Sequence, residues 1–401
     1  MAESAGPLAG IRVVDLTIWV QGPLAATLLA DLGADVIKVE RAGQGDFSRG
    51  LRTLHGVELE RESSRHLLWA SCNRNKRAIG LDLRHADAAP VFRALLETAD
   101  IFVTNLHPEA LAELGADEAS VKAANPAIVY ARGSGLGEVG ERALDPCQDT
   151  VGMAYSGFMF TTAADTVEPN YPPGALSDVL SGTMLAFGIL AALRERERTG
   201  QGQTVTSSQL QSLLWLQSLN LALAANFGKT FEPFDRSRPT SPYMNTYRCG
   251  DGGWIALGLV RRAQWITLLG TVGLEALSTD ERFITVRGIR EHGEQVVRRL
   301  QERFATADAA HWLDVIRRAG LWVSPVNRLD ELATDEQVLA NGYAARSSDG
   351  WIAAAMPFSL QGYAAPTAPS PEYGADTVQV LTEIGYTLEE VVELQRTEAA
   401  W

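Results

Sequence analysis

Residues 11–41, IRVVDLTIWVQGPLAATLLADLGADVIKVER, decide the fold. Residues 11–16 are rich in β-branched side chains and predict a strand, residues 22–32 predict a short apolar helix, and residues 35–39 predict a second strand. A strand, a helix and a strand within about 30 residues form a βαβ unit, whose two strands are parallel. The chain is therefore predicted to begin with an open α/β domain built on a parallel sheet.

Two more strands are predicted downstream, each after a helical stretch. Residues 101–104 (IFVT) follow the helical stretch 91–98, and residues 128–131 (IVYA) follow the stretch 111–124. Alternating helices and strands extend a parallel sheet, as in Rossmann-like domains. The first third of the chain is therefore predicted to form one such sheet.

The rest of the chain divides at a loop-like segment. A strong helix is predicted over residues 178–198, capped by Ser177 or Asp178, and an apolar helix over residues 209–224. Residues 229–242 contain three prolines and several charges, which indicates a domain junction. We predict a large α/β domain over 1–205, linker helices over 206–240, a small α/β domain over 241–328 and a returning segment over 329–401.

The composition restricts the class of protein. The chain is 46% apolar and carries 35 Lys+Arg against 49 Asp+Glu, a formal net charge of −14, which argues against a protein that coats nucleic acid or an anionic membrane. The cysteines, Cys72, Cys147 and Cys249, form no CxxC motif, which fits a reducing compartment. The first ten residues lack the features of a signal peptide, and the apolar stretch 185–193 is too short to span a bilayer. We therefore expect a cytoplasmic protein.

A dense run of cations occurs in this acidic chain. Residues 73–77 read NRNKR, and Arg41 and Arg49 precede them. Several cations on one α/β domain can bind a polyanionic ligand such as a phosphate ester. The alternative is a solvated charged surface, which is the usual meaning of such a run.

The glycine-rich segment 133–137, GSGLG, follows a predicted strand. It is similar to a dinucleotide-binding loop, but no helix opens directly on its glycines. We interpret it as a tight turn at the carboxyl end of a strand, where ligands of open α/β sheets bind.

Asp178 is the candidate nucleophile. The helix dipole at an N-terminus is expected to keep this carboxylate ionised, which suits a helix cap and a nucleophile equally.

The six histidines and three cysteines show no metal-ligand spacing, so no metal site is predicted.

Blocks along almost the whole chain resemble the class III coenzyme A transferases, the CaiB/BaiF-type family that includes formyl-CoA transferase, carnitine-CoA transferase and α-methylacyl-CoA racemase. The blocks, in family order, are LAGIRVVDLT, GPLAATLLADLGADVIKVER, NRNKRAIGLDLR, TADIFVTNLHPEALAELG, NPAIVYARGSGLG, GALSDVLSG and SPVNRLDELATDEQV. The resemblance implies an α/β large domain, a small domain and an interlocked homodimer. It also implies transfer of coenzyme A from an acyl-CoA to a free carboxylic acid.

The resemblance assigns roles by position. Asp178, in LSDVLSG, matches the family's catalytic aspartate, which forms a mixed anhydride with the donor acyl group and then an aspartyl-CoA thioester. The positions that match segments contacting CoA or lining the thioester are Val20, Gln21, Arg41, Asn73, Arg74, Lys76, Arg77 and Asn105. Leu106, which follows Asn105, and Ser134 and Gly135 of the glycine-rich segment are further candidate CoA-binding residues.

Three positions depart from the family's patterns. Gln148 stands where the racemases have a histidine and Arg261 where they have a glutamate, and neither side chain exchanges a Cα proton near neutral pH. Racemisation of a 2-methylacyl-CoA is therefore the less favoured activity, and a non-catalytic acyl-CoA-binding protein is a third interpretation. Glu113 replaces an arginine that contacts CoA in some transferases, so CoA binding is expected to differ in detail.

Overall fold

The computed structural model describes residues 6–54, 56–58, 66–163 and 168–401. Residues 1–5, which belong to the segment used to predict that no signal peptide is present, lie outside these ranges. The chain forms two compact units. One contains Met1–Thr162, Asn170–Phe231 and Gly342–Trp401, and the other contains Ala163–Pro169 and Glu232–Asn341.

Short strands alternate with helices along the chain. The strands are β1 (Arg12–Leu16), β2 (Asp35–Arg41), β3 (Thr53–Leu54), β4 (Val57–Glu58), β5 (Arg77–Leu81), β6 (Ile101–Thr104), β7 (Val129–Ser134), β8 (Thr204–Ser208), β9 (Thr246–Arg248), β10 (Trp254–Leu257), β11 (Val323–Pro325), β12 (Ala344–Arg346) and β13 (Ile352–Ala354). The helices are α1 (Gln21–Asp31), α2 (Leu67–Cys72), α3 (Ala88–Glu97), α4 (Pro108–Glu113), α5 (Glu118–Ala124), α6 (Asp149–Tyr155), α7 (Phe158–Thr161), α8 (Leu176–Thr199), α9 (Gln209–Leu216), α10 (Ser218–Phe227), α11 (Arg262–Thr271), α12 (Glu281–Ile284), α13 (Val286–Phe304), α14 (Ala309–Arg318), α15 (Leu329–Leu332), α16 (Glu336–Ala340), α17 (Thr377–Glu383) and α18 (Leu388–Arg396).

A six-stranded sheet organises the first unit, in the order β5-β2-β1-β6-β7-β8. Every neighbouring pair is parallel, so the predicted parallel sheet is confirmed. The edge strand β8 is not among the predicted strands, because its sequence, TVTSS, is mostly polar. An edge strand has one neighbour and more solvent contact, so polar side chains are tolerated there.

Buried apolar side chains cover both faces of this sheet. Successive residues of a strand point to opposite faces, and Val13 and Val14 of β1 accordingly belong to different cores. Helices α1 and α8 pack on the face of Val13, while α3, α5, α17 and α18 pack on the face of Val14. The C-terminal helices therefore complete a layer of the first unit.

Helix α8 is longer than predicted. It has 24 residues, and by length and composition it could cross a membrane, contrary to the prediction that the apolar stretch is too short. In this structure it packs on α1, β7 and β8. Leu185, Ile189 and Leu193 are buried, and Leu180 is half-buried. The helix therefore belongs to the core of the first unit.

Some predicted elements are divided or replaced in the structure. The helix predicted over 111–124 is the pair α4 and α5, separated around Gly115, whose φ of 62° ends the first helix. The helix predicted over 209–224 is the pair α9 and α10. Helix α18 is capped by Thr387, whose Oγ1 accepts a hydrogen bond from the Glu390 N–H.

The second unit has its own sheet and core. Strands β11, β10 and β9 form an antiparallel sheet in that order. Tyr247 of β9 packs against Phe304 of α13, and Phe304 packs against Trp312 of α14. This aromatic cluster is buried, so the unit has a hydrophobic core of its own.

Candidate active site

The first turn of α1 and the second turn of α8 meet at the carboxyl end of β7. Gln21, the first residue of α1, donates from Nε2 to the carbonyl oxygen of Ser134 at 3.1 Å and to Ser181 Oγ at 2.9 Å. Gly182 permits this approach, since a Cβ atom there would lie 2.4 Å from the Gln21 carbonyl oxygen. Two predicted site residues, Gln21 and Ser134, are thus brought together where open α/β sheets bind ligands.

Asp178 lies in the first turn of α8, but it does not cap the helix, and neither does Ser177. The N-cap residue is Ala175, which has a φ of 55° and no side-chain hydrogen bond to the helix. Asp149 of α6 performs this role instead, because its Oδ1 accepts from the N–H groups of Ser177 at 2.7 Å and Asp178 at 3.3 Å. The predicted cap is therefore wrong, and a carboxylate distant in sequence replaces it.

The surroundings of Asp178 oppose its ionisation. Its half-buried carboxylate accepts a 2.5 Å hydrogen bond from Gln209 Nε2. Burial first, and the nearby Asp149 second, raise the pKa of Asp178 to about 7, while the Gln209 hydrogen bond acts in the opposite direction. A pKa of about 7 contradicts the expectation that this group is fully ionised at neutral pH, because burial and Asp149 leave a large fraction of it protonated. A carboxylate that titrates near neutrality is typical of functional sites.

Gln209, which the sequence analysis missed, links Asp178 to Cys147. It is the first residue of α9 and is buried, and its Oε1 accepts a hydrogen bond from Cys147 Sγ at 3.2 Å. Burial raises the pKa of Cys147 to about 11, so the thiol stays protonated and can donate. Cys147 also packs on the turn after β7, where a Cβ on Gly135 would lie 2.1 Å from Cys147 Cβ. No motif marks Gln209, since it follows a strand that resembles a loop.

The loop between β1 and α1 leads toward this site. Asn105 at the end of β6 holds it: Oδ1 accepts from the Ile18 N–H, and Nδ2 donates to the Ile18 carbonyl oxygen, both at 2.8 Å. Trp19 has a φ of 66°, and its exposed ring stacks on Phe47 with centroids 5.8 Å apart. Val20 is buried and is the N-cap residue of α1. The contacts of Asn105 and Val20 with CoA remain predictions.

A buried cluster of charges supports the same loop. Lys38 Nζ donates to the Thr17 carbonyl oxygen at 2.5 Å and lies 3.5 Å from Asp15 Oδ1 and 3.3 Å from Asp46 Oδ2. Lys76 Nζ lies 2.8 Å from Asp15 Oδ2. Lys38 and Asp15 have no exposed side-chain surface. Each buried charge is therefore paired, which is the condition for ions to remain in a protein interior.

The cations of residues 73–77 pair with carboxylates of the chain itself. Asn73 is buried, and its Oδ1 accepts from Lys76 Nζ at 2.9 Å. The two arginines lie in ion pairs, Arg74 with Asp31 at 2.6 Å, and Arg77 with Asp35 at 2.7 Å and Glu383 at 2.8 Å. The structure thus places these side chains among internal partners, and their contact with CoA phosphates remains a prediction.

A cavity of about 300 Å³ opens at the carboxyl ends of β1, β2 and β5. Arg41, Arg84 and Leu106 line it, together with Thr17 and Ile18 of the β1–α1 loop. Arg41 is exposed and forms no ion pair with any residue that the structure describes. Arg84 is also exposed and lies 3.7 Å from Glu113. The cavity therefore presents two guanidinium groups, and the β1–α1 loop joins it to the helix that begins at Gln21.

The chain matches proteins of one family over most of its length. A model of CoA-transferase family III matches residues 8–377. The chain is 28% identical over 398 residues to (R)-2-hydroxy-4-methylpentanoate CoA-transferase of Clostridioides difficile, covering 96% of this chain and 97% of that protein. It is 30% identical over 364 residues to acetyl-CoA:oxalate CoA-transferase of Acetobacter aceti, covering 90% and 91%. A solved CaiB/BaiF family protein from Brucella suis has a TM-score of 0.84 at 25% identity, covering 95% of this chain and all of that one.

The fold and the matches together define an α/β enzyme that acts on CoA thioesters. The chain belongs to CoA-transferase family III, and the resemblance read from the sequence is confirmed.

The pH dependence of the enzyme tests the environment of Asp178. Asp178 is predicted to be the nucleophile and would react as the anion, so we expect kcat/KM for an acyl-CoA to rise with pH as Asp178 ionises, with a pKa of about 7. Asp149→Asn keeps an oxygen facing the Ser177 and Asp178 N–H groups but removes the negative charge that raises this pKa. We expect its pH–rate profile to shift to lower pH. Asp145→Asn, at an exposed position, is the control. An unshifted pH–rate profile in Asp149→Asn would show that the charge of Asp149 does not set the pKa that governs the rate.

Proposed function

We propose that this protein transfers coenzyme A from an acyl-CoA to a free carboxylic acid through covalent intermediates on Asp178. The observation that carries the proposal is the carboxylate of Asp178, which is half-buried beside Asp149, has a pKa of about 7 and accepts a hydrogen bond from Gln209. Such a group can be the nucleophile in one step and the leaving group in another, because neither form is strongly favoured at neutral pH.

The proposed reaction has four steps. The Asp178 carboxylate attacks the donor thioester, forms a mixed anhydride and releases CoA thiolate, which stays bound. The thiolate attacks the aspartyl carbonyl carbon, giving an aspartyl-CoA thioester and the free donor acid. The acceptor carboxylate then attacks this thioester, and the returning thiolate takes the acceptor acyl group. Each step develops an oxyanion. The end of β7 at Ser134 and the turn that begins at Gly135 are our candidate source of backbone N–H donors.

We place the phosphates of CoA at the cavity lined by Arg41, Arg84 and Leu106. Guanidinium groups bind phosphate oxygens in pairs of hydrogen bonds, and Arg41 lies in no ion pair with the described residues. Asn73, Arg74, Lys76, Arg77 and Asn105 are proposed to shape this region, since their side chains hold α1, β5 and the β1–α1 loop in place. Val20 and Gln21 are proposed to line the thioester.

Removing the charge of Arg41 should weaken CoA binding selectively. We expect Arg41→Met to raise KM for acyl-CoA about tenfold with a smaller change in kcat, because a charge-assisted hydrogen bond contributes about 1.5–3 kcal/mol. Steady-state kinetics with varied acyl-CoA measure this. Arg93→Met removes an exposed cation of α3 outside the cavity and is the matched control. Equal KM values in wild type and Arg41→Met would place the phosphates elsewhere.

A transfer assay tests the function against its alternatives. Wild-type protein is incubated with one acyl-CoA and a panel of free acids, and new thioesters are detected by mass spectrometry. The panel takes its chemistry from the relatives, whose names include oxalate, glutarate, phenyllactate and 2-hydroxy acids. A racemase would instead introduce solvent deuterium at Cα without any acceptor. A binding protein would be stabilised by acyl-CoA without forming a hydroxylamine-sensitive intermediate.

Self-association is also proposed, as a cytoplasmic homodimer. Helix α10 is mostly apolar and contains no buried residue, and Leu219 and Phe227 are 78% and 71% exposed. Trp215 of α9 is 72% exposed beside it, in a groove of about 680 Å³. An apolar surface of this size in a chain with a net charge of −14 is typical of a protein–protein interface. The interlocked pairing implied by the resemblance would cover it with a second copy, which analytical ultracentrifugation can test.

A further inference from the structure

Gln209 contacts the Asp178 carboxylate and is itself held on two sides. Its Nε2 donates to Asp178 Oδ1 at 2.5 Å, and its Oε1 accepts from Cys147 Sγ at 3.2 Å. Helix α6 packs against the same amide, since a Cβ on Gly152 would lie 2.5 Å from Gln209 Oε1. The side chain is buried, with 4% of its surface exposed. A donor fixed in this way needs little reorganisation when charge develops on its acceptor.

The two oxygens of Asp178 have different surroundings. Oδ1 accepts the hydrogen bond of Gln209, whereas Oδ2 accepts none from the part of the chain that the structure describes. Oδ2 is therefore the oxygen that is available to attack a thioester. Once Oδ2 has formed that bond, Oδ1 is the carbonyl oxygen of the aspartyl group and still faces the Gln209 amide.

We propose that Gln209 is a catalytic residue whose amide stabilises the oxyanion formed on Asp178 Oδ1 whenever a nucleophile attacks the Asp178 carboxyl carbon. This inference rests on the function proposed above. It assigns Gln209 to the two middle steps of the reaction. The first step does not need this amide, because the negative charge then develops on the carbonyl oxygen of the substrate.

The electron flow explains this division. In the first step, Oδ2 bonds to the acyl carbon, the carbon–sulfur bond breaks, and CoA thiolate leaves with the electron pair. In the second step, the thiolate attacks Asp178 Cγ and Oδ1 receives a pair of electrons. When this pair returns, the Cγ–Oδ2 bond breaks, and the donor acid leaves as a carboxylate that carries Oδ2. Attack by the acceptor carboxylate again places charge on Oδ1, and the Cγ–S bond breaks.

Gln209→Met tests the proposal, because methionine has a similar length but no donor. Excess enzyme is mixed with acyl-CoA and hydroxylamine, without an acceptor, at a pH where Asp178 is ionised. Hydroxylamine attack on the donor acyl carbon of the mixed anhydride gives the donor's hydroxamic acid, whereas attack on Asp178 Cγ, by CoA thiolate or by hydroxylamine, releases the donor acid itself. We expect Gln209→Met to release donor acid about 100-fold more slowly than wild type and to form hydroxamic acid at a similar or higher rate. Asp178→Ala supplies the background of uncatalysed reaction.

Two further variants separate catalysis from structure. Gly152→Ala displaces the Gln209 amide without changing its chemistry, and it should slow donor acid release selectively, by a smaller factor. Gln201→Ala, at an exposed position before β8, should change neither rate. Equal slowing of both products in Gln209→Met would mean that the residue only supports the fold, and would overturn the inference. Wild type giving neither product above the Asp178→Ala background would overturn the proposed function instead.

Discussion

Asp178→Ala should abolish the transfer of CoA between carboxylic acids, lowering the rate by about 10⁴-fold or more, as expected when a catalytic nucleophile is removed. Without this carboxylate, the proposed anhydride and aspartyl thioester cannot form. Asp149 is committed to the N–H groups of Ser177 and Asp178. The measurement is the rate at which a labelled acceptor acid enters the acyl-CoA pool.

A second variant, Asp178→Asn, tests whether the loss of activity comes from a damaged fold. Burial and Asp149 raise the pKa of Asp178 to about 7, so the ionised form is disfavoured in the folded protein. The stability linked to this group is present at acid pH and is lost as pH rises through about 7. Asp178→Asn should therefore unfold in urea at or above the wild-type midpoint at alkaline pH while being inactive. Inactivity combined with a strongly lowered midpoint would indicate a damaged fold rather than a missing nucleophile.

Lys38→Met should lower the free energy of unfolding of the first unit by about 3–5 kcal/mol, the cost of removing one partner from a buried ion pair. Lys38 is fully buried between Asp15 and Asp46, and it also donates to the carbonyl oxygen of Thr17. The variant leaves Asp46 without its ion pair and leaves Asp15 with Lys76 alone. Urea titration followed by circular dichroism measures the change.

The matched control is Lys122→Met. Lys122 pairs with Glu118 one helical turn away at 2.7 Å, where both side chains are partly exposed. Partly exposed pairs of this kind contribute about 1 kcal/mol or less. If Lys38→Met were no more destabilising than Lys122→Met, the buried cluster would not be the support of the β1–α1 loop that we describe.

The βαβ unit could be predicted because its residues obey local rules. The apolar strands at β1, β2 and β6 carry their signal in a few consecutive side chains, and the cap of α18 by Thr387 lies within one turn. The family could also be recognised, since its blocks are continuous in sequence. Asp178 was identified by its block and by its position at the start of a helix.

The cap of α8, the ion pairs of the two arginines and the pKa of Asp178 could not be predicted, because they depend on contacts between residues distant in sequence. The cap of α8 comes from Asp149, 29 positions before Asp178, so no local pattern reveals it. The Arg74 and Arg77 side chains looked free because their carboxylate partners, Asp31, Asp35 and Glu383, lie elsewhere in the chain. The raised pKa of Asp178 arises from burial, which sequence spacing does not show.

The run of cations at residues 73–77 is compatible, from sequence alone, with a polyanion-binding surface or with a solvated charged surface. In the structure, those charges are matched by internal carboxylates, and the cations left to face a ligand at the cavity are Arg41 and Arg84. A net charge of −14 therefore coexists with a small group of cations, contributed by separate elements, that we propose binds the phosphates of CoA. Strand ends, rather than a run of sequence, bring these two arginines together.

The mass of the peptide that carries Asp178 shows whether CoA transfer passes through a covalent intermediate on this residue. Enzyme is mixed with an acyl-CoA, quenched within the first turnover and digested. We expect CoA to be attached to Asp178 through a thioester, and we expect this adduct to disappear when an acceptor acid is added before the quench. Transfer at the normal rate with no such adduct, or with CoA attached to another residue such as Cys147, would contradict this expectation.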